Sequence, residues 1–298
     1  KPKESLMMTE RSNCTNDSFK YVLYSSVFSI VFILGLLFNM VAMYIFVCRL
    51  KMRNETTTYM LNLVVSDSLF VVSLPFRAFY FINRQWPFGD ALCKISVTLF
   101  YTNMYGSILF LTCISVDRFL AIVYPFASRT LRTKRNAKIA CGVIWVVLLS
   151  GGLTAGFNTT YTPIAANCTV DTSFRFTFYK TSYSMIFIFA ALGLVLIAYL
   201  LPALLLLFSY CSVLRVLRRL PRRRKIRHRR TLTVIYWVLV VFFLCFTPYH
   251  LNLLGYTLTQ VGLVQSCGLA KVTKVLHPIV LSLASTNCCL NPLIYYFS

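Results

Sequence analysis

The residues of this sequence that could do chemistry are a few ionisable and thiol side chains within an otherwise apolar chain. Asp67 and Arg77 stand in one long apolar run, and a second run begins at Cys93 and ends at Asp117-Arg118. Charged groups in such runs are costly unless they are partnered, so they mark ion or ligand sites. No nucleophile–base pair and no metal-ligand spacing occurs in the sequence. The sequence therefore indicates ion or ligand binding, and we do not expect an enzyme.

The run from Cys93 to Arg118 is long enough to position two of these groups on opposite sides of a membrane. A helix over this run would be roughly 38 Å long, whereas the hydrocarbon core of a bilayer is about 30 Å thick. The helix would place Cys93 outside and Asp117-Arg118 just inside, as expected for a helix that transmits a signal. A spanning helix with ordinary polar ends is the alternative.

The composition requires that most of the chain lies in a membrane. Of its 298 residues, 58% are hydrophobic and 13% are charged, whereas a soluble domain has about 25% charged residues. Long apolar runs without strand alternation predict helices. We predict an all-α seven-transmembrane helix bundle over 21–298, preceded by an N-terminal tail at 1–20. The predicted spans are 21–48, 57–82, 92–124, 137–157, 181–214, 231–258 and 272–297.

The net charge of +22 is unevenly distributed, and this distribution predicts the orientation in the membrane. Three loops, at 49–53, 118–138 and 215–230, hold 19 of the 30 basic residues. The positive-inside rule places these loops in the cytoplasm and the N-terminus outside. Contact with membrane lipids explains the basic loops, so we expect no nucleic acid partner. No initiator Met or signal peptide is present and the chain stops at Ser298, so we expect trimmed ends without a C-terminal tail.

Cysteines and glycosylation signals fit this orientation. Four cysteines lie outside and allow three pairings; we favour Cys93–Cys168 and Cys14–Cys267. In the second outer loop, alternating Phe174, Phe176 and Phe178 predict a short β-hairpin that covers the bundle. The predicted glycosylation sites are Asn13, Asn16, Asn158 and Asn167.

Several polar residues and prolines within the spans are candidates for a switch. Asp67 needs buried partners, and Asn39, Ser107, Asn287 and Asn291 are candidates; a purely structural polar cluster is the alternative. Prolines within spans allow hinges, although simple bends would also explain them. The prolines with aromatic neighbours are Pro248 and Pro292.

In this order, the motifs of the whole chain resemble those of the rhodopsin-like (class A) G-protein-coupled receptors. Stretches 54–59, 100–125 and 130–138 are most similar to the purinergic-receptor-like branch of lysophosphatidic acid receptors, the fourth and sixth subtypes. The matching motifs are Gly35-Leu36-Leu37-Phe38-Asn39, Leu63-x-x-x-Asp67, Trp86-Pro87-Phe88-Gly89, Cys93 with Cys168, Asp117-Arg118-Phe119, Trp145, Pro202, Phe242-x-x-Cys245-Phe246-x-Pro248 and Asn291-Pro292-x-x-Tyr295.

The resemblance implies a plasma-membrane receptor that binds its agonist outside and opens its inner face to a heterotrimeric G protein, of the Rho-activating class. It also implies a sodium pocket at Asp67, Ser107 and Asn287, with an allosteric sodium ion as the one possible cofactor. The implied activation residues are Asp117, Arg118, Tyr210, Phe246, Pro248, Asn291, Pro292 and Tyr295.

The sequence departs from common patterns of the family at three single residues and in one short segment. Phe119 replaces Tyr, Phe246 replaces Trp, and Asn291 replaces the Asp of close relatives. The inner end of the sixth span offers His228, Arg229 and Arg230, where some members carry a Glu that holds the motif arginine. Arg118 would then lack an acidic partner on that span. A transporter is a remote alternative, because it should show inverted repeats or paired broken helices.

Basic residues on the outer half predict an anionic ligand, and with the resemblance they point to a lysophospholipid, lysophosphatidic acid first. Arg77 would hold the phosphate, because a guanidinium binds it through a bidentate fork. Snorkelling of Arg77 to the interface is the alternative, and a cysteinyl leukotriene or a nucleotide is the competing ligand. Small residues on spans four and five indicate close packing or a seam for the acyl chain. The predicted ligand-binding residues are Lys20, Arg77, Tyr101, Tyr105, Arg175, Lys180, His250, Lys274 and His277.

Overall fold

The computed structural model describes residues 18–49, 54–157, 161–162, 167–168, 185–219, 221–260, 263–264 and 266–297. Two short strands, β1 (Tyr161–Thr162) and β2 (Asn167–Cys168), pair antiparallel. The helices are α1 (Ser18–Tyr44, continued by a π-helical turn at Ile45–Arg49), α2 (Glu55–Asn83), α3 (Gly89–Val123), α4 (Lys134–Phe157), α5 (Met185–Arg219), α6 (Arg222–Gln260), α7 (Cys267–Ser285) and α8 (Asn287–Phe297).

Seven segments of the described chain are long and apolar enough to cross a membrane, which confirms the predicted seven-helix architecture. Together α7 and α8 form the seventh segment, which is interrupted at Thr286. The sixth helix begins at Arg222, well before the predicted start at 231. Arginine and lysine are good helix formers, so the basic run extends this helix beyond its apolar part.

The third helix is the centre of the bundle. Within the described chain, α3 packs against α2, α4, α5, α6 and α7, and it also contacts β1. Its contact with α4 is close at Gly152, whose carbonyl accepts a 2.9 Å hydrogen bond from Thr98 Oγ1. A Cβ at Gly152 would lie 2.8 Å from Thr102 Oγ1. Gly152 therefore serves helix packing, as the packing interpretation of the small residues predicts.

The disulfide predictions have different outcomes. Cys93 is buried and disulfide-bonded. Cys168 lies opposite Tyr161 in the strand pair that contacts α3, and this placement supports Cys168 as the partner of Cys93.

The second predicted pairing, Cys14–Cys267, stays a prediction, although Cys267 is a free, exposed thiol in the structure. Cys267 is the first residue of α7 and is exposed at the surface of the bundle. Cys14 lies outside the described residues, as do the sequons at Asn13, Asn16 and Asn158. The strand predicted around Phe174–Phe178 is outside them too, so the loop hairpin stays a prediction.

Both prolines predicted as hinges lie inside continuous helices. Pro248 is within α6 and Pro292 is within α8. Because proline has no N–H, Pro292 leaves the carbonyl of Cys288, four residues earlier, without its helical donor. Asn39 Nδ2 on α1 donates to this carbonyl at 2.9 Å. A polar group on a neighbouring helix thus satisfies the backbone that the proline leaves open.

Candidate functional site

A polar cluster surrounds Asp67 in the middle of the bundle. The carboxylate is fully buried and accepts hydrogen bonds from Asn103 Nδ2 at 2.7 Å and Asn291 Nδ2 at 2.9 Å. Ser107 Oγ donates to Asn287 Oδ1 at 3.1 Å. The structure therefore brings Ser107, Asn287 and Asn291 to Asp67, as predicted. A carboxylate with amide and hydroxyl oxygens is a donor set that suits a hard cation such as sodium.

Two assignments around this cluster change. Asn103 was missed, although it stands four residues before Ser107 and so shares its face of α3. Asn39, which we predicted as a candidate partner of Asp67, instead donates to the carbonyls of Gly35 and Cys288 at 2.8 and 2.9 Å. Pro292 leaves the Cys288 carbonyl without its helical donor, and this explains why the Asn39 amide lies beside that carbonyl.

At the inner end of α3, the carboxylate of Asp117 is held by residues from two other segments. Arg132 Nε donates to its Oδ1 at 2.8 Å, and the Thr56 hydroxyl donates to its Oδ2. Glu55 Oε2 lies 3.9 Å from Arg132 Nη2. Asp117 is only 5% exposed, so these contacts meet the cost of burying its charge. Asp117 directly precedes Arg118 in the chain, and Arg132 competes with Arg118 for its carboxylate.

The hydrogen bond to Asp117 also raises the pKa of Arg132 above its ordinary value. A raised pKa of a base contributes stability that is complete below the ordinary value and is lost only above the raised one. Because the ordinary value is already far above neutral, Arg132 stays charged at every physiological pH. Arg132 therefore supplies a constant positive charge to this contact.

In the outer half, Arg77 is buried and directed inwards. It is 1% exposed, its Nη2 donates to the Ser96 carbonyl at 2.5 Å, and its Cζ lies 5.2 Å from the centre of the Phe100 ring. The snorkelling alternative is therefore wrong for Arg77. The carbonyl and the ring fix the orientation of the guanidinium towards α3.

A chain of aromatic contacts joins Arg77 to four of the other eight predicted ligand residues: Tyr101, Tyr105, His250 and His277. Phe100 packs edge-on against Tyr101 at 5.3 Å, and the side chain of Tyr101 lies close to that of Tyr249. Tyr249 in turn lies 5.2 Å from the His250 ring and 6.5 Å from the His277 ring. Sequence reasoning missed Phe100 and Tyr249. Their position beside the predicted Tyr101 and His250 was the only available signal.

His250 connects this chain to the helix that carries the predicted switch. Its Nδ1 lies 2.8 Å from the carbonyl oxygen of Phe246, and its ring stacks on Tyr199 of α5 at 4.3 Å. Tyr105 of α3 meets it edge-on at 6.0 Å. A group that displaces His250 would therefore act on α3, α5 and α6 together.

Residues 38–295 match the model of the 7 transmembrane receptor (rhodopsin family). The chain belongs to this family. It is 50% identical to lysophosphatidic acid receptor 6 of Gallus gallus over 96% of this chain and 94% of the relative. It is 46% identical to human lysophosphatidic acid receptor 4, over 97% and 78% respectively. Human cysteinyl leukotriene receptor 2 is 37% identical, over 96% and 81%. The chain is thus a multi-pass membrane receptor and not an enzyme.

The remaining predicted ligand residues of this receptor are less closely connected. Lys20 Nζ lies 5.4 Å from the ring of Tyr21 at the outer start of α1. Lys274 is half-buried and lies about one turn from His277 on α7. Arg175 and Lys180 lie outside the described residues.

The remaining predicted activation residues of the receptor occupy separate packing clusters. Phe246 is buried and meets Phe242 edge-on at 5.7 Å. Tyr210 packs beside Val213 and other inner residues of α3, α5 and α6. Tyr295 on α8 packs edge-on against Phe46, in the π-helical turn after α1, at 5.3 Å.

Replacing Arg132 with alanine is expected to lower basal nucleotide exchange by the receptor about fivefold, the equivalent of roughly 1 kcal/mol for a partly buried ion pair. Without Arg132, the Asp117 carboxylate is left to Arg118, the residue that should be released for coupling. The measurement is agonist-free GTPγS binding at matched receptor expression. Arg135→Ala is the control, because it removes the same charge from an exposed position nearby. Unchanged or higher basal exchange in Arg132→Ala alone would contradict this competition.

Proposed function

We propose that this chain is a plasma-membrane receptor for a lysophospholipid, with lysophosphatidic acid as agonist, that signals through heterotrimeric G proteins of the Rho-activating class. The observation that carries the proposal is the buried, inward-directed guanidinium of Arg77. The similarity to receptors 4 and 6 for lysophosphatidic acid supports the choice of ligand.

Arg77 would bind the phosphate monoester of the agonist. An anion that enters the bundle would form charge-assisted hydrogen bonds with this buried guanidinium. The fork of a guanidinium matches two phosphate oxygens, and each such charge-assisted hydrogen bond contributes roughly 1.5–3 kcal/mol. Lys20, Lys274 and His277 would add positive charge around the headgroup, as would Arg175 and Lys180 of the second outer loop.

The acyl chain would lie deeper, against the rings that follow Arg77 inwards. Tyr101, Tyr105 and His250 belong to helices α3 and α6, and they contact one another directly or through Tyr249. Aromatic rings provide a large apolar surface with polar edges, which suits a glycerol linkage above a hydrocarbon tail. A nucleotide or a cysteinyl leukotriene could also bind the Arg77 guanidinium. Neither of these ligands would depend on a site for a long acyl chain.

The topology of the proposed receptor follows from its charge distribution. The N-terminal tail at 1–20 would lie outside, with glycans on Asn13, Asn16, Asn158 and Asn167, and 21–298 would form the receptor domain. The second outer loop would form a hairpin over the ligand, tied by Cys93–Cys168. The basic loops would lie at the cytoplasmic lipid surface.

Activation would couple these two ends of the bundle. An agonist shifts the equilibrium only through its different affinity for the two states. Movement of His250 would act on Phe246 and Pro248 of α6, repack Tyr210, Asn291 and Tyr295, and free Arg118 for the G protein. A sodium ion held by Asp67, Ser107 and Asn287, with Asn103 beside them, would favour the inactive packing. That ion would supply charge neutralisation only.

Agonist-driven nucleotide exchange tests the proposed function directly. The purified receptor in lipid nanodiscs, mixed with a Rho-activating G protein, should accelerate GTPγS binding when lysophosphatidic acid is added. A monoacylglycerol with the same acyl chain but no phosphate should be inactive, as should a nucleotide and a cysteinyl leukotriene. No response to lysophosphatidic acid, together with a response to either rival anion, would overturn the ligand assignment.

The contacts of the fourth and fifth helices support an acyl seam between them. Within the described chain, α4 packs on α2 and α3, whereas α5 packs on α3 and α6. A Cβ built on Gly151 or Gly193 meets no described atom within 4 Å. Open space therefore lies beside Gly151 and Gly193, whereas Gly152 is packed closely against α3.

Gly193→Leu is expected to reduce the potency of a long-chain lysophosphatidic acid about tenfold and that of a short-chain analogue much less. Excluding two methylene groups from the protein costs about 1.6 kcal/mol, which is roughly a tenfold change in affinity. The measurement is a pair of concentration–response curves. Gly142→Leu, also in open space, serves as control on α4. Equal losses for both chain lengths would favour ordinary packing at this position.

A further inference from the structure

Asn252 on α6 carries a buried amide whose polar atoms are both unpaired. The residue is 6% exposed. Neither Oδ1 nor Nδ2 has a hydrogen-bond partner within the part of the chain that the structure describes. An asparagine amide can accept two hydrogen bonds and donate two, and buried polar groups in proteins are nearly always paired. Two unpaired atoms on one buried side chain therefore need an explanation, because each costs free energy in the folded protein.

The position of Asn252 on α6 brings it next to the proposed ligand residues. Residues three or four apart lie on one face of a helix, so Asn252 shares a face with Tyr249 and Tyr256. The rings of these two tyrosines lie 6.5 and 6.4 Å from the ring of His277 on α7. The side chain of Tyr249 also lies close to that of Tyr101 on α3. Asn252 therefore lies on the face of α6 that carries rings of the proposed site.

Other polar side chains of the spanning helices bind the backbone of their own helix. The Thr257 hydroxyl on α6 donates to the Leu253 carbonyl at 2.9 Å. Asn62 Nδ2 on α2 donates in the same way to the Thr58 carbonyl at 2.8 Å. Asn252 makes no such bond to the preceding turn of α6. Its amide is therefore available to a group that enters the bundle.

The proposed agonist carries neutral polar groups that match such an amide. Lysophosphatidic acid has a glycerol unit between its phosphate and its acyl chain, with one free hydroxyl and one ester carbonyl. These groups lose their water when the lipid enters the bundle, so each needs a partner there. With the phosphate at Arg77 and the acyl chain along Tyr105 and His250, the glycerol unit would lie between these two parts of the site.

We propose that the amide of Asn252 binds the glycerol unit of the agonist and makes the receptor select a glycerol lipid over a simple alkyl phosphate. Nδ2 donates to the ester carbonyl, and Oδ1 accepts from the free hydroxyl. A ligand that lacks these groups leaves the buried amide unpaired, and a site of this kind discriminates strongly against such a ligand. The inference rests on the proposed function and deepens it, because Arg77 recognises the phosphate and Asn252 recognises the glycerol.

A purely structural role for Asn252 makes a different prediction. Pro278 lies within α7, which packs against α6, and it has no N–H to donate to the carbonyl of Lys274. An asparagine on the facing helix would supply that donor in another conformation, as Asn39 does beside Pro292. Asn252→Leu would then destabilise the ligand-free receptor and weaken every ligand equally. Glycerol recognition instead predicts that Asn252→Leu keeps or raises the thermal stability, since two unpaired polar atoms are removed.

The test compares the affinities of four ligands for the purified receptor in nanodiscs, by competition with a fluorescent lysophosphatidic acid. The ligands are lysophosphatidic acid, its deoxy analogue without the free hydroxyl, its ether analogue without the carbonyl, and an alkyl phosphate of equal chain length without either group. We expect the wild type to bind each single analogue about five- to tenfold more weakly than lysophosphatidic acid, and the alkyl phosphate at least about 25-fold more weakly.

Asn252→Leu is expected to lose this discrimination. Its affinity for lysophosphatidic acid should fall about tenfold and its affinity for the alkyl phosphate should change less than about twofold, so that the four ligands differ by no more than about threefold. Asn252→Ala, whose small side chain cannot clash with α7, should show the same convergence. Thr257→Val is the matched control, because it removes a buried hydroxyl of α6 that is already paired, and it should keep the wild-type preference.

Three results would overturn the glycerol contact. They are equal affinity of the wild type for all four ligands, the full wild-type preference in Asn252→Leu and Asn252→Ala, and an equal loss of all four ligands in these variants. The last result, together with a lower thermal stability of the ligand-free variants, would assign Asn252 a structural role.

Arg77→Ala separates this contact from the proposed function. All four ligands carry the phosphate, so this variant should weaken them by a similar factor and keep their order of affinity. Absence of lysophosphatidic acid binding to the wild type would refute the proposed function. If the wild type binds the lipid and Arg77→Ala weakens it while Asn252→Leu discriminates as the wild type does, only the glycerol contact is wrong.

Discussion

Cys93→Ala is expected to abolish surface delivery of the receptor or its agonist binding. Cys93 is buried and disulfide-bonded in the first turns of α3, the helix that contacts α2, α4, α5, α6 and α7. With Cys168 as partner, the bond closes a loop of about 75 residues, and the chain-entropy model gives roughly 4 kcal/mol for that length. This value is an upper bound, because the membrane already confines both ends of the loop. The measurements are cell-surface staining and agonist binding on intact cells.

Companion variants make this experiment specific for the pairing. Cys168→Ala should have the same defect, and the double variant should be no worse than either single one, because both remove one bond. Cys267→Ala should be delivered and bind normally, since that thiol is free and exposed. Normal expression and potency of Cys93→Ala would refute the pairing, and a defect in Cys267→Ala would support a bond to Cys14.

The helices could be predicted because the membrane imposes a simple rule on the sequence. A segment that crosses lipid must satisfy its own backbone and present about twenty apolar residues, so long apolar runs give both the number and the type of the elements. The first and last residues of the helices were less predictable than the number of helices. The basic run at the start of α6 is polar, so hydropathy excluded it, although its residues favour helix.

The polar centre was predictable in its members but not in its pairings. A carboxylate within a span must find partners, so Asp67 could be singled out and its amide and hydroxyl neighbours proposed. Asn39 shows the limit: its amide was equally able to serve Asp67 or the carbonyl opened by Pro292, and only the position of α1 beside α8 decides for Cys288. Hydrogen-bond pairings of this kind depend on which helices are neighbours in the bundle.

The inner cluster could not be predicted for a similar reason. Arg132 lies in a loop, 15 residues after Asp117, and Thr56 lies 61 residues before it. Nothing in the composition of these segments distinguishes Arg132 from the five other basic residues of the loop region at 118–138. Asp117 meets these partners because the loop folds back onto the first residues of α2. This contact depends on the tertiary structure and not on local sequence.

Arg77→Ala is expected to weaken lysophosphatidic acid at least about tenfold, or roughly 1.4 kcal/mol, while surface expression stays intact. The guanidinium is buried, and its fork would form charge-assisted hydrogen bonds with the phosphate of the ligand. Removal of the guanidinium should therefore reduce the gain in thermal stability on adding agonist. The measurements are agonist potency in cells and thermal unfolding of purified receptor with and without lysophosphatidic acid.

Further variants and an analogue without phosphate distinguish a specific phosphate site at Arg77 from a general effect of positive charge on agonist potency. Arg77→Lys keeps the charge but offers no planar fork, so its potency should lie between those of the wild type and Arg77→Ala. Lys94→Ala removes a cation that Asp90 already neutralises and should respond as the wild type does. An analogue without phosphate should bind the wild type and Arg77→Ala equally weakly, because it lacks the group that the guanidinium recognises. A normal response of Arg77→Ala to lysophosphatidic acid would show that the headgroup is bound elsewhere.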